Sequence, residues 1–206
     1  TDGGLKFLGS MGTQRHTVEN KSELGSGYVK VAAQLFGLVS VGLIYVVAPE
    51  VTWLDAGELA AASWELGIAH PPGFPIFAMI HKGITLSLPL GDIGFRSNLA
   101  SALMSGAAIA AWVSALRAWG IGSAAAVVGM LSVVGSTGFL LHSTTVEVYS
   151  GLSLCLALLF LGMAHYEKKS DRRAVLATCF GMGLAIGGHH PELRLFAVVM
   201  MLILIV

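Results

Sequence analysis

The segment 55–70 contains the first residues of the chain whose types and spacing suggest chemistry. Asp55, Glu58 and Glu65 recur at a helical spacing, so a helix across this segment would present three carboxylates on one face. His70 follows in the sequence His-Pro-Pro-Gly, a rigid turn that would fold the next segment back over them. Carboxylates held in such a place can act as a general base. Thr52 and Asp55 also have the spacing of a capping box, so the alternative is that Asp55 caps the helix and that the two glutamates form its solvated side.

A second candidate acid is Glu147, in the polar sequence that separates two apolar stretches. It follows His142 and lies at the edge of a predicted membrane span, where an ionisable residue is a functional candidate by default. The alternative is that Glu147 caps the helix that begins near Tyr149. Residue types alone leave these two interpretations equal.

A histidine pair and an arginine lie in the segment 189–194, after another apolar stretch. Adjacent residues point in different directions on a helix, so His189 and His190 are a poor metal-binding pair, and we predict no metal and no cofactor. Arg194 could pair with Glu192 or hold a lipid phosphate through a bidentate contact.

The composition shows what must position these groups. The chain has 206 residues, of which 55% are hydrophobic and only 12% are charged, against roughly 25% charged residues in a soluble domain. Lysines and arginines number 12 and so do aspartates and glutamates, so no excess charge indicates a nucleic-acid partner. We predict an all-α, polytopic transmembrane helix bundle.

Apolar stretches of about 20 residues mark the spans. We predict a flexible cytoplasmic tail at residues 1–28 and one transmembrane domain at 29–206, with spans near 29–48, 95–116, 123–141, 152–165, 174–188 and 193–206. The remaining apolar segment, 70–91, is short and interrupted by prolines, His81 and Lys82. We interpret it as an interfacial helix within an outer loop at 49–94.

The orientation follows from the one strongly basic loop, which contains Lys168, Lys169, Arg172 and Arg173. Short loops rich in lysine and arginine remain cytoplasmic, and this loop does so only if the segment 70–91 does not cross the membrane. The N-terminus is then cytoplasmic, and almost every acidic and histidine candidate faces the other side.

Several short motifs together resemble those of a family of bacterial membrane proteins related to protein O-mannosyltransferases. They occur in the family's order between about residues 46 and 194: Trp53-Leu54-Asp55-Ala56-Gly57-Glu58, His70-Pro71-Pro72-Gly73, Phe95-Arg96-Ser97-Asn98-Leu99, Glu147-Val148-Tyr149-Ser150 and Gly187-Gly188-His189-His190. The resemblance implies the N-terminal part of a GT-C fold, in which multi-span glycosyltransferases use lipid-phosphate sugars. The Gly-Gly-His-His-Pro sequence departs from the Gly-Asn-His-like pattern expected there.

The resemblance also implies roles for the candidate residues. Asp55 matches the acidic residue that deprotonates or orients the acceptor, and Glu58 belongs to the same motif. His70 and Glu147 would position the acceptor or the sugar. The remaining substrate-binding candidates are His189, His190 and Arg194, of which His190 and Arg194 could offset phosphate charge.

We therefore expect a membrane glycosyltransferase that moves a sugar from a polyprenyl-phosphate donor to a protein or glycan hydroxyl at the outer face of a bacterial inner membrane. Its expected partners are membrane lipid and the lipid-linked sugar, and a protein complex is an alternative setting. In that alternative the chain is a truncated, non-catalytic subunit derived from the same family. Transport is the weakest alternative, because it would need polar groups at mid-membrane, whereas these acids cluster at one surface.

Overall fold

The computed structural model describes residues 29–71 and 73–169, together with the single positions 176, 180, 181 and 183. The predicted tail at 1–28 lies outside the described residues, as do the predicted spans 174–188 and 193–206 apart from those single positions. Over 29–71 and 73–169 the chain forms helices and connecting turns, and no strand occurs there.

Seven helices follow one another along this part of the chain. In chain order they are α1 Val29–Val46, α2 Ala56–Glu65, α3 Pro75–Ser87, α4 Ile93–Ala118, α5 Ser123–Val134, α6 Thr137–Thr144 and α7 Val148–Lys169.

Three of these helices, α1, α4 and α7, are long and apolar enough to cross a membrane. The predicted span at 123–141 is divided between α5 and α6, which are bent by 71° at a short break and together pass the same test. The prediction of an all-helical membrane bundle is confirmed.

Side-chain contacts show that α4 and α7 run in the same direction. Near the start of both, the backbone N–H of Glu147 donates to Ser101 Oγ, and near their other ends the indole N–H of Trp119 donates to the carbonyl of Phe160. The chain leaves α4 at one end of the bundle and enters α7 at the other. The bent pair of α5 and α6 therefore crosses back between them as a single broken span.

The helices α2 and α3 are too short to cross a membrane and pack on the first turns of α4. Asn98, fully buried on α4, donates from Nδ2 to the carbonyls of Ala48 and Glu50, both at 2.9 Å, just after α1 ends. The backbone N–H of Ala48 in turn donates to the carbonyl of Thr144 at the end of α6, at 3.0 Å. The ends of α1 and α6 thus lie at the same height along the axis of α4, near Asn98. The turns of α4 that precede Asn98 extend further and pack against α2 and α3.

Local sequence signals account for how these helices begin. The Asp92 carboxylate accepts the backbone N–H of Phe95 at 2.8 Å and caps α4. Pro75 occupies the first turn of α3, where its missing N–H costs nothing. Gly73 precedes it with a φ of +76°, a left-handed conformation that favours glycine and makes the turn between α2 and α3 possible.

A hydrophobic core joins the α2–α3 layer to the bundle. Its members come from α2, α3, α4 and the connection between α6 and α7: Ala56, Leu59, Ala60, Ala69, Phe74, Phe77, Met104, Val146 and Val148. Because Val146 and Val148 flank Glu147, this core places that acid close to α2.

Candidate functional site

The start of α2 sets the position of Asp55. The helix begins at Ala56, and Asp55 lies at the N-cap position, but its carboxylate makes no capping hydrogen bond. The alternative that Asp55 serves as a helix cap is therefore wrong for this structure. The preceding residue, Leu54, has a φ of +64°, which is strained for a leucine and directs the chain sharply into the helix. The side chain of Asp55 is 59% exposed and open to a partner.

Glu58 and His70 form a paired contact twelve residues apart. One carboxylate oxygen of Glu58 accepts the backbone N–H of His70 at 2.6 Å, and the other lies 2.9 Å from its Nδ1. The side-chain hydrogen bond from His70 is the main cause that lowers the pKa of Glu58, and the same bond is the main cause that raises the pKa of His70. Glu58 thus fixes the imidazole both in position and in ring orientation.

The second ring nitrogen of His70 faces Asp55. His70 Nε2 lies 4.0 Å from Asp55 Oδ2, with the histidine side chain 38% exposed. The imidazole therefore lies between two carboxylates. Glu58 is hydrogen-bonded to Nδ1, and Asp55 lies near Nε2. When His70 is protonated, its positive charge offsets part of the negative charge of Asp55 and Glu58.

The same three residues could hold a divalent cation. Asp55, Glu58 and His70 can each offer one ligand atom, and these atoms lie within 4.8 Å of one another. Imidazole and carboxylate groups suit zinc and other transition metals. Since one ring nitrogen of His70 already contacts Glu58, only Nε2 faces the remaining carboxylate. The expectation of no metal stays a prediction.

Glu147 lies near this group, on the connection between α6 and α7. It is half-buried, and burial raises the pKa of its carboxyl; His142 acts in the opposite direction, and the negative charge of Asp55 raises it further. The charge of His70 also affects Glu147, so all four predicted groups lie within electrostatic reach of one another.

A buried serine accepts a hydrogen bond from the backbone of Glu147. Ser101 on α4 is fully buried, accepts the backbone N–H of Glu147 at 3.4 Å and lies 3.3 Å from His81 Nε2. His81 stacks on Phe77 and is completely buried, which lowers the pKa of its imidazole to about 3 and keeps it neutral. This neutral contact joins α3, α4 and the connection carrying Glu147.

The structure thus brings together Asp55, Glu58, His70 and Glu147. The other sequence candidates, His189, His190 and Arg194, lie outside the described residues. Ser101 was missed by sequence reasoning, because a serine in a stretch rich in alanine and glycine indicates only close helix packing.

Comparison with known proteins supports the predicted family. Residues 55–206 match the family model described as the protein O-mannosyl-transferase TMEM260 N-terminal domain. A curated relative, protein O-mannosyl-transferase TMEM260 of Mus musculus, is 33% identical over 84 residues, which is 40% of this chain. The matched part is 12% of the length of that mouse protein. No solved structure matches the chain.

The family match begins at Asp55, so it includes the whole α2–α3 layer, Glu147 and the helices that hold them. The resemblance inferred from the short motifs is confirmed, whereas a bacterial origin stays a prediction. Because the match extends over most of its length, this chain belongs to the family of the protein O-mannosyl-transferase TMEM260 N-terminal domain.

Proposed function

We propose that this chain is the membrane portion of a glycosyltransferase that moves a sugar from a polyprenyl-phosphate donor to a hydroxyl of a protein or glycan. The observation that carries the proposal is the group formed by Asp55, Glu58 and His70, in which an uncapped, exposed carboxylate lies beside a histidine fixed by a second carboxylate. Membership of an O-mannosyl-transferase family supports the same reaction class.

The reaction is an inverting displacement. The acceptor oxygen attacks the anomeric carbon from the face opposite the phosphate, and the bond between that carbon and the phosphate oxygen breaks. The polyprenyl phosphate leaves with the electron pair, and the hydroxyl proton passes to the Asp55 carboxylate as general base. No further reactant is needed, because the donor already carries an activated sugar.

The neighbouring residues position the reactants. Glu58 holds His70 by two contacts, so that His70 Nε2 remains directed at Asp55 and can orient the acceptor hydroxyl. Glu147, whose carboxyl is half-buried and has a raised pKa, can exchange a hydrogen bond with a sugar hydroxyl. We assign the offsetting of phosphate charge to His190 and Arg194, on the basis of the motif resemblance.

The proposed setting is the outer face of a bacterial inner membrane, where lipid-linked sugars are accessible. The α2–α3 layer would lie at that surface, with Trp53, 91% exposed, at the headgroup level. The donor is then a membrane lipid, and the acceptor reaches Asp55 from the aqueous side.

A transfer assay tests the proposal. The purified full chain is supplied with a radiolabelled polyprenyl-phosphate sugar, and Asp55→Asn is compared with the matched control Glu65→Gln, which removes an exposed carboxylate from the end of the same helix. A general base contributes roughly 10²–10⁴-fold, so we expect Asp55→Asn to lose at least about 100-fold in rate and Glu65→Gln to retain wild-type activity.

Transfer that is unaffected by Asp55→Asn would contradict the role of Asp55 as base. Absence of transfer by the wild type, together with stable co-purifying membrane proteins, would identify the chain as a non-catalytic subunit instead.

A further inference from the structure

Two aspartates, Asp55 and Asp92, occupy N-cap positions, and they differ in what their carboxylates do. Asp92 has an extended backbone, with a φ of −82° and a ψ of 179°, and its carboxylate accepts the backbone N–H of Phe95 at 2.8 Å. Asp55 has a helical backbone, with a φ of −78° and a ψ of −6°, and its carboxylate makes no capping bond. A residue that caps a helix typically has an extended backbone, which directs its side chain at the N–H groups of the first turn. The backbone conformation of Asp55 therefore keeps its carboxylate free.

A strained residue precedes Asp55. Leu54 has a φ of +64°, in the left-handed region that leucine rarely adopts. Its side chain is 90% exposed, so packing of that side chain does not explain the conformation. Such strain persists only where the surrounding structure imposes it. The cause must lie in what holds the chain before Leu54 and after Asp55.

The chain after Asp55 is held by burial. Ala56 and Leu59, in the first turn of α2, are 1% and 2% exposed and belong to the hydrophobic core. The backbone N–H of Leu59 donates to the carbonyl of Asp55 at 2.8 Å. The main chain of Asp55 is thus fixed to a buried helix, while its side chain remains outside.

Asn98 holds the chain before Leu54, on the connection between α1 and α2. Its fully buried amide donates from Nδ2 to the carbonyls of Ala48 and Glu50, both at 2.9 Å. Among the residues that the structure describes, its buried Oδ1 has no hydrogen-bond partner. An apolar side chain of similar size would avoid the cost of that unmet acceptor, so packing alone does not call for an asparagine here. The amide is present for its two donors, which attach the connection to α4.

Gly94, one turn before Asn98 on α4, holds the next residue of the connection. A Cβ atom added at Gly94 would lie 2.6 Å from Cγ2 of Val51 and 3.1 Å from its backbone nitrogen. The backbone of the connection therefore lies directly against α4 at this point, an approach that a side chain at position 94 would prevent. With residues 48–51 fixed in this way, residues 52–54 must join them to the buried start of α2.

We infer that Asn98 and Gly94 are positioning residues for Asp55. By fixing residues 48–51 on α4, they make the chain enter α2 through the left-handed Leu54, and this keeps the Asp55 carboxylate off the helix N-terminus and beside His70. This inference rests on the proposed function, in which Asp55 is the general base. Hydrogen bonds to a carboxylate favour its charged form, so an Asp55 that capped α2 would be a weaker base and would face away from His70.

The position of Asp55 can be measured through His70 without any turnover. The hydrogen bond to Glu58 is the main cause that raises the pKa of His70, and the negative charge of Asp55, whose Oδ2 lies 4.0 Å from His70 Nε2, raises it further. Histidine titration by NMR on the labelled full chain measures this pKa. Asp55→Asn shows how far it falls when the charge of Asp55 is removed.

Gly94→Ala is the first test. The added methyl group should displace Val51, and with it Asp55. We expect the pKa of His70 to fall, as in Asp55→Asn, and the rate of sugar transfer to fall about tenfold to 100-fold, the order of loss that a displacement of about 1 Å causes. Adding Val51→Ala removes the clashing Cγ2 and should restore part of both. The matched control is Gly83→Ala on α3, where nothing lies within 4 Å of an added Cβ; it should change neither.

Asn98→Leu tests the hydrogen bonds. It keeps a branched side chain of similar size but removes both donors, so the carbonyls of Ala48 and Glu50 lose their attachment to α4. The pKa of His70 and the transfer rate should again fall together. If this variant does not fold, Gly94→Ala and its partial rescue decide the question.

An unchanged pKa of His70 in Gly94→Ala would overturn the inference, even if transfer were lost, because Asp55 would not have moved. A fall of the same size in Gly83→Ala would overturn it too, and so would a fall that Val51→Ala leaves fully in place. If the variants shift the pKa of His70 as expected but the wild type transfers no sugar, the proposed function fails and the positioning of Asp55 stands.

Discussion

The contact between Glu58 and His70 links the chemistry of the site to its geometry. Glu58 makes two contacts to the same residue, one to the backbone and one to the ring, so it fixes where His70 lies and which nitrogen faces Asp55. Both side chains are well exposed, so solvent screens their attraction and the pair contributes more to position than to stability.

Glu58→Gln tests this positioning role. The glutamine keeps the shape of the glutamate but removes its charge, so the pKa of His70 should fall back towards its ordinary value of 6.5. In the wild type the charged pair is fully present above the ordinary pKa of Glu58 and below that of His70. It is lost at acid pH as Glu58 is protonated through its lowered pKa, and at alkaline pH as His70 loses its proton through its raised pKa.

Histidine titration by NMR on the labelled protein measures the shift, and Glu65→Gln serves as control because Glu65 lies at the far end of the same helix. A His70 pKa that is the same in the wild type and in Glu58→Gln would contradict the role assigned to Glu58.

At the scale of residues, sequence spacing predicted only part of the site. Asp55 and Glu58 lie three residues apart at the start of one helix, so their proximity follows from helical geometry. The approach of His70 depends on the turn after α2, and the approach of Glu147 depends on how α4 and α7 pack. Periodicity does not contain such long-range contacts. The rigid turn at His70 and the position of Glu147 at a membrane edge made both residues candidates, and the motif resemblance supplied their roles.

Among the elements, α1 packs closely against α4. A Cβ atom added at Gly106 on α4 would collide with the Ser40 hydroxyl on α1 and would lie 3.3 Å from Ser40 Cβ and 3.4 Å from its backbone nitrogen. Small residues at this contact let the two helix backbones approach closely in lipid. The break between α5 and α6 could not be foreseen, because Gly135 and Ser136 at a span centre are compatible with a continuous helix.

Gly106→Val should force these two helices apart. Overpacking of a well-packed site typically costs about 1–3 kcal/mol, so the unfolding midpoint in detergent should fall measurably. Gly129→Val on α5 is the control, since nothing lies within 4 Å of a Cβ added there. Adding Ser40→Gly to Gly106→Val should restore part of the loss by making room on α1. If both valine substitutions lowered the unfolding midpoint equally, the cause would be the removal of a glycine and not the contact with α1.

Viewed as a whole, the molecule places its candidate acids at one end of α4 and α7 and several basic residues at the other, although Lys82 and Arg96 also lie at the acidic end. Asp55, Glu58 and Glu147 lie at the end where α4 and α7 begin, whereas Arg117 lies in the last turn of α4. Lys168 and Lys169 end α7, which runs parallel to α4, so they belong to the same end as Arg117. The positive-inside rule predicts from loop composition alone which of these ends faces the cytoplasm, and that orientation stays a prediction.

Cysteine labelling tests the resulting orientation. In a variant with both native cysteines replaced by alanine, Ile68→Cys places a thiol in the outer layer, where Ile68 is 94% exposed. Ile121→Cys places one in the turn between α4 and α5, where Ile121 is 41% exposed. The 26 residues of α4 extend about 39 Å, enough to separate the two positions by a membrane. A membrane-impermeant maleimide is added to cells whose outer membrane has been made permeable and whose inner membrane is still sealed. It should label Ile68→Cys under these conditions. It should label Ile121→Cys only after the inner membrane is also permeabilised. The reverse pattern would place Asp55 in the cytoplasm, where the proposed transfer at the outer face could not occur, and labelling of both thiols from one side would mean that α4 does not cross.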